Sequence, residues 1–215
     1  MLGTIEEERK SRISFLQKPN DSIISEFTDI VLHHKNIEHN SHLQDAWDFA
    51  LSLDYHHPGQ SKEVYLAHPM RVAMLYSQEV YPVDDVGLIT AMLHNAKEVT
   101  SISNDELSAR VGKDISNAIS VLTVDRARQW DRAYKEHYYK NISESPQFVH
   151  KVKILDKLDN LFLLCLNKTD EIREMYLKEI DMWVIPMAQK VLPELVSYMR
   201  ELVSDNRRIG FRPLQ

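Results

Sequence analysis

Glycine is scarce in this 215-residue chain: there are five, where an average globular sequence of that length would carry about fifteen. With only eight prolines besides, little is left to build the β-turns of a sheet protein. The expected fold class is all-α. Cysteine occurs once, at Cys165 within Leu161-Phe162-Leu163-Leu164-Cys165-Leu166, so no intrachain disulfide can form and the thiol reads as a small core residue in a reducing compartment. That stretch is also the longest apolar run, far short of the roughly 20 residues that a membrane helix needs. Met1 to Lys10 holds three consecutive glutamates and lacks the apolar segment of a signal peptide. The expectation is a cytoplasmic protein with no membrane partner. Basic runs are missing too: 26 Lys and Arg stand against 32 Asp and Glu, a net charge of −6, which argues against a nucleic-acid partner.

What is present suits a soluble globular protein, with 43% hydrophobic and 27% charged residues and ample length for a core. No repeat, low-complexity tract or linker divides the chain, so residues 1–215 are read as a single domain. Apolar stripes at helical spacing predict helices near 21–38 and 43–55. After the break at His56-His57-Pro58-Gly59-Gln60, a helix is expected to start near Pro69 and run to about Val80. Pro82-Val83-Asp84-Asp85 signals the next start. Ser103 with Glu106 is a capping-box pattern for a short helix that Gly112 closes. Helices are expected over 114–122 and 125–141. Ser145-Pro146 reads as an N-cap with proline at the first helical position, opening the stripe Val149, Val152, Ile154, Leu155, Leu158, Leu161, Phe162. This is the expected central helix. Two more helices, parted near Leu192-Pro193, complete the chain.

Polar groups interrupt the apolar faces at four places: His68, the pair His94 and Asn95, and Asp156. Buried polar atoms need partners. Imidazole nitrogens and carboxyl oxygens from three helices would form a mixed site suited to Mn²⁺, Fe²⁺, Mg²⁺ or Zn²⁺. Taken singly, His68 also reads as a helix-start residue, His94 as a hydrogen-bonded core histidine, and Asp156 as the partner of Lys153 or Lys157.

Motifs around these residues resemble a known family. His57-x-Gly59-Gln60 followed by Tyr65-Leu66-Ala67-His68-Pro69-Met70-Arg71-Val72-Ala73 is similar to the H-x-G-Q and Y-I-x-H-P-x-x-V-A of the HD-domain hydrolases of the Rel/SpoT alarmone family. Ala91-Met92-Leu93-His94-Asn95-Ala96-Lys97-Glu98-Val99-Thr100 resembles that family's A-x-L-H-D-x-x-E-D-T. Leu107 to Thr123 is similar to its E-L-x-x-x-F-G-x-x-V…V-x-x-L-T stretch. Val152-Lys153-Ile154-Leu155-Asp156-Lys157-Leu158-Asp159-Asn160-Leu161 resembles V-K-L-A-D-R-L-H-N-M, and Met182 to Ala188 resembles I-Y-A-P-L-A. The resemblance covers about residues 42–200 and leaves N-terminal helices within 1–41. The layout resembles a small stand-alone hydrolase that ends where a synthetase domain begins in longer members.

The resemblance implies an HD-superfamily helical bundle, a divalent metal (Mn²⁺) and removal of the 3′-pyrophosphate from guanosine tetra- or pentaphosphate. It makes His68, His94 and Asp156 the metal ligands, Glu98 the catalytic acidic residue and Asn160 a residue near the nucleotide; the reading built on it adds Asn95 to the ligands and has Lys62, Lys157 and Asn160 contact phosphate or ribose. Glu98, four residues after His94, would share its helix face and could orient the imidazole or take a proton from water; the plainer reading is an exposed glutamate paired with a lysine. The partner is then a small nucleotide or phosphoester, and the oligomeric state is left open.

Three positions depart from the family pattern. Asn95 replaces an anionic ligand with a neutral amide, which predicts weaker metal binding. Val99 replaces the second acidic residue of E-D-T. The loop from Gln60 to His68 is about three residues short and lacks the R-K-x-G-x-P arginine expected to stack on guanine, for which Lys62 is a poor substitute. The alternative reading is therefore a pseudohydrolase that senses a nucleotide or binds a protein without turnover; a third keeps the pocket for another small molecule. His33-His34, His39 and His42 read as a solvated surface, since neighbours in sequence do not share a helix face. Arg128 and Arg132 could meet a phosphate, or form a solvated face balanced by Asp125 and Asp131.

Overall fold

Thirteen α-helices and no strand are found among the described residues of the computed structural model, which are 2–17, 20–33, 41–56 and 62–213; of the side chains at 15, 17, 20, 23, 32, 33 and 62–64 nothing is described. In order they are α1 (Ile5–Gln17), α2 (Asn20–Phe27), α3 (Ser41–Ser52), α4 (Lys62–Glu79), α5 (Asp85–Leu93), α6 (Ala96–Val99), α7 (Asn104–Val111), α8 (Lys113–Leu122), α9 (Arg132–Ser143), α10 (Gln147–Leu163), α11 (Asp170–Glu179), α12 (Ile185–Val191) and α13 (Val196–Ile209). None of them is long and apolar enough to cross a membrane.

The expected central helix is the axis of the bundle. On α10, Val149, Val152, Ile154, Leu155, Leu158, Leu161 and Phe162 are fully buried, packed against α1, α4, α5, α12 and α13. At roughly 1.5–3 kcal/mol for each large apolar side chain removed from water, this one stripe accounts for a substantial share of the drive to fold. The α4–α5 pair closes tightly because Gly87 has no side chain: a Cβ there would collide with the ring of Tyr76, whose hydroxyl donates to Asp84 Oδ2 at 2.7 Å.

Several start signals hold in atomic detail. Asp84 caps α5 by accepting from the Gly87 N–H at 2.6 Å. Ser103 and Glu106 form the reciprocal capping box of α7, and Gly112, at φ +86°, ends it. Two signals mislead. Pro69 does not open a helix; it lies inside α4, which begins at Lys62. Proline there withdraws one N–H and crowds the carbonyl four residues earlier, yet Tyr65, Leu66, Ala67, Met70, Val72 and Ala73 are all buried around it, and packing of both flanking turns outweighs the lost bond. Ser145 does not cap α10 either. Its hydroxyl donates back to the Asn141 carbonyl at 2.8 Å, and Pro146 stands at the cap position. The last two helical stretches do part at Leu192, and a π-helical turn over Ile180–Val184 joins α11 to α12.

Candidate active site

Three helices bring the expected ligands together. His68 projects from α4, His94 stands at the C-cap of α5, and Asp156 lies in α10. One ligand atom from each, two imidazole nitrogens and a carboxylate oxygen, fall within 4.8 Å of one another. His68 Nε2 is 3.2 Å and His94 Nε2 3.7 Å from Asp156 Oδ1.

The surroundings dictate what those atoms present. Asp159 is fully buried, and although burial pushes its carboxyl up, Arg71 and His68 hold it far below the usual range. It is thus an acceptor, and His68 Nδ1 at 2.8 Å must donate to it. His94 Nδ1 likewise donates to the Ala91 carbonyl at 2.8 Å, and burial drives its pKa down to about 4, so the ring is neutral. In the neutral tautomers both Nε2 atoms then offer lone pairs toward Asp156. Burial lowers the His68 pKa, but hydrogen bonds to Asp156 and Asp159 outweigh it and raise the value: acceptors face acceptors here, and a proton or a cation must lie between them. Asn95, buried in the turn between α5 and α6, adds a side chain with neither polar atom hydrogen-bonded among the described residues. Two oriented imidazoles, one carboxylate and an amide oxygen free to donate suit a divalent metal ion.

Asp156 is itself well braced. Burial raises its pKa, yet Lys153 and His68 bring it well below the ordinary value. Lys153 Nζ holds Oδ2 at 2.9 Å and Asn160 Nδ2 donates to Oδ1 at 2.8 Å. The reading of Asp156 as partner of Lys153 is thus compatible with its place in the cluster, because the two oxygens serve different neighbours.

These groups form one end of a cavity of about 560 Å³. Asn160 lines it but spends its amide on Asp156. Lys157 also lines it, paired with Glu179 at 3.0 Å rather than with Asp156. Glu98 is neither exposed nor bound to a lysine: its carboxylate accepts from the Val124 N–H at 2.9 Å and pairs with Arg126 at 2.5 Å. The helical run predicted to carry His94 and Glu98 on one face is broken at His94-Asn95, where α5 ends and α6 begins. Val99 is packed in the core. The Lys62 and His33 side chains, and His34, His39 and residues 57–61, lie outside what is described; His42 is exposed. Arg128 pairs with Asp125 and Arg132 with Glu136 on the exposed surface.

The sequence reading missed Asp159, buried behind His68, and three cavity residues, Lys135, Glu179 and Tyr176. Lys135 and Lys157 share Glu179 Oε1, at 2.7 and 3.0 Å, whereas Lys153, also in the cavity lining, pairs with Asp156. Burial and the neighbouring Lys157 pull the Lys135 pKa down to about 8. Glu179 is drawn down to about 2 against the effect of burial, by Lys157 and Lys135. Glu179 Oε2 and the Tyr176 hydroxyl are buried without a hydrogen-bond partner among the described residues. A signal for Lys135 did exist, since with Tyr138, Tyr139 and Ile142 it completes an i, i+3, i+4, i+7 stripe on α9, all four buried. Asp159 likewise sits in the apolar face of α10, three residues beyond Asp156.

No family model matches the chain. Among curated proteins it is 26% identical over 157 residues to the guanosine-3′,5′-bis(diphosphate) 3′-pyrophosphohydrolase of Aquifex aeolicus, covering 72% of this chain and 22% of that one. It is 28% identical over 116 residues to the enzyme of the same name, MESH1, from Drosophila melanogaster, covering 52% of this chain and 64% of the relative. The matched stretch thus spans less than two thirds of either relative. Both are named as hydrolases, and neither name favours a module without turnover. A solved structure described as a metazoan ortholog of SpoT that hydrolyzes ppGpp superimposes with a TM-score of 0.61 at 24% identity, covering 79% of this chain and 94% of that one. The fold is accordingly all-α and of the same kind as that structure's.

Proposed function

We propose that the chain is a divalent-metal-dependent phosphohydrolase that removes the 3′-diphosphate of guanosine 3′,5′-bis(diphosphate), with Mn²⁺ as the ion. One observation carries this reading: the lone pairs of His68, His94 and Asp156 converge within 4.8 Å in a cavity whose lining also holds Lys135 and Lys157, both on Glu179. The first set suits a cation and the second an anionic substrate. The similarity to enzymes named for this reaction supports it.

His68, His94 and Asp156 would hold the ion, with the Asn95 amide oxygen as a weaker fourth donor. A divalent ion there supplies Lewis acidity toward a phosphoryl oxygen and toward water. The remaining work belongs to the chain. Asp159 and the Ala91 carbonyl keep the imidazoles oriented, while Lys153 and Asn160 keep Asp156 in place. Lys157 and Lys135 meet the phosphate charge, which Glu179 only partly offsets before substrate arrives. Lys62 is assigned to the substrate from its place in the sequence. Glu98 takes a proton from the attacking water, its carboxylate steadied by the Val124 N–H and by Arg126. A cytoplasmic setting fits a single buried thiol, Cys165.

The test is direct. Metal-stripped protein is incubated with guanosine 3′,5′-bis(diphosphate) with and without Mn²⁺, and the products are separated by ion exchange. Release of GDP and pyrophosphate only in the presence of the ion is expected; intact substrate after prolonged incubation with Mn²⁺ would overturn the proposal.

A further inference from the structure

Helix α1 lies outside the stretch whose motifs resemble the Rel/SpoT hydrolases, yet two of its arginines are almost wholly buried: Arg9 and Arg12 are 2% and 5% exposed. Burying a guanidinium is costly unless its hydrogen bonds are met. Arg9 meets them away from the cavity, at the Phe162 carbonyl and at Asp205 of α13, 3.3 and 2.6 Å away. Arg12 meets them at Asp159. Its Nε donates to Asp159 Oδ1 at 2.9 Å, its plane rests 4.0 Å over the Phe162 ring, and its Nη1 pairs with Glu8 at 2.6 Å.

Asp159 therefore receives donors from three sides. Arg71 clamps both its oxygens at 2.9–3.1 Å, Arg12 fixes Oδ1, and His68 Nδ1 donates to Oδ2. Arg71 sits one turn after His68 on α4 and moves with it. Arg12 comes from a separate element, so among the described residues it alone ties the carboxylate to something other than α4 and its own helix. The continuous path runs from α1 through Arg12 and Asp159 to the imidazole whose other nitrogen faces Asp156.

We infer that Arg12 is a positioning residue for the metal site: docking of the N-terminal helix α1 locks Asp159, and through it His68, in the orientation that binds the ion. The inference rests on the metal reading above and adds to it a dependence on a segment outside the matched motifs. Two effects of Arg12 oppose each other. Its positive charge would repel a cation, but Glu8 at 2.6 Å largely offsets that charge. The orientation it imposes is not offset by anything, and loss of such an outer partner typically weakens metal binding by about 10- to 100-fold. Orientation wins, and removal of Arg12 weakens binding.

The experiment compares Arg12→Met with Arg9→Met, which loosens the same helix without touching Asp159. Mn²⁺ affinity is read by electron paramagnetic resonance, and in metal-free protein the His68 Nδ1–H signal is followed by nitrogen-15 NMR. The expected result is a roughly tenfold loss of Mn²⁺ affinity and a shifted, broadened Nδ1–H signal in Arg12→Met, with Arg9→Met within about twofold of the native chain. Equal losses in both variants would reduce Arg12 to ordinary helix docking and overturn the inference, as would no loss in either. Should Arg12→Met fail to fold, Arg12→Lys keeps a cation for Glu8 without the planar fork for Asp159, and the same split is required of it. A native chain that binds no Mn²⁺ would overturn the metal reading, while the imidazole signal would still decide whether Arg12 acts on His68.

Discussion

The two ends of the cavity are out of balance in opposite senses. At one end, His68, His94 and Asp156 crowd three acceptor atoms within 4.8 Å, and the Asn95 amide has no partner among the described residues. At the other, Lys135 and Lys157 share a single carboxylate oxygen of Glu179. Among the described residues only Lys153 crosses between the two sets, pairing with Asp156 at 2.9 Å; a core selected for stability alone would have paired the rest as well or replaced them with apolar groups, since buried charges are rarely worth their desolvation. Holding Lys135 and Lys157 on Glu179 rather than on Asp156 leaves a place for a cation and a place for an anion in one cavity, as the proposed metal-assisted attack on a phosphate ester requires.

Breaking the acceptor end should have the largest effect. In Asp156→Asn, Mn²⁺ binding is lost and hydrolysis falls by about a thousandfold or more, several kcal/mol of barrier at about 1.4 kcal/mol per factor of ten. Near-native turnover in that variant would mean the acceptor end is not where the chemistry happens. The lysine end should respond differently. Lys157→Met and Lys135→Met are each expected to raise KM by about tenfold, as for one lost charge-assisted hydrogen bond, with Mn²⁺ affinity unchanged in equilibrium dialysis. A parallel fall in metal affinity would erase the distinction between the two ends.

Asn95→Asp sharpens the comparison from the other direction. Adding a formal charge among the acceptors should tighten Mn²⁺ binding by roughly tenfold, measured by titration calorimetry; an unchanged affinity would show that residue 95 does not face the ion.

The smallest effect concerns acid. Glu179 has a folded pKa of about 2 against an ordinary 4.5, so its contribution to stability is fully present above pH 4.5 and is lost as pH falls through that window toward 2. Asp156 and Asp159, also held low, add to the same limb. The thermal midpoint of the metal-free chain should drop across that range, and less steeply in Glu179→Gln; an equally steep drop would show that the lysine pair does not hold Glu179 down.

The contrast between the ends also bears on what a sequence reveals. The acceptor end was legible because its residues interrupt apolar stripes and fall in ordered motifs: His68, His94 and Asp156 were singled out and do meet. Helix limits were legible where a cap is local, as at Asp84 and at Ser103 with Glu106. They were not where tertiary packing overrides a local rule, as around Pro69. The lysine end was mostly hidden, because Lys135 and Glu179 are 44 positions apart and each looks like one more surface charge until the fold buries both. Glu98 shows the intermediate case. Its place by the cavity was foreseen, but its partners, Val124 and Arg126, come from a different part of the chain.

Crystals soaked in Mn²⁺ and measured at the manganese absorption edge test the central claim most directly. One anomalous peak between His68 Nε2, His94 Nε2 and Asp156 is the expected result. No peak there, or an ion bound among Glu98, Glu179 and the lysines instead, would contradict it.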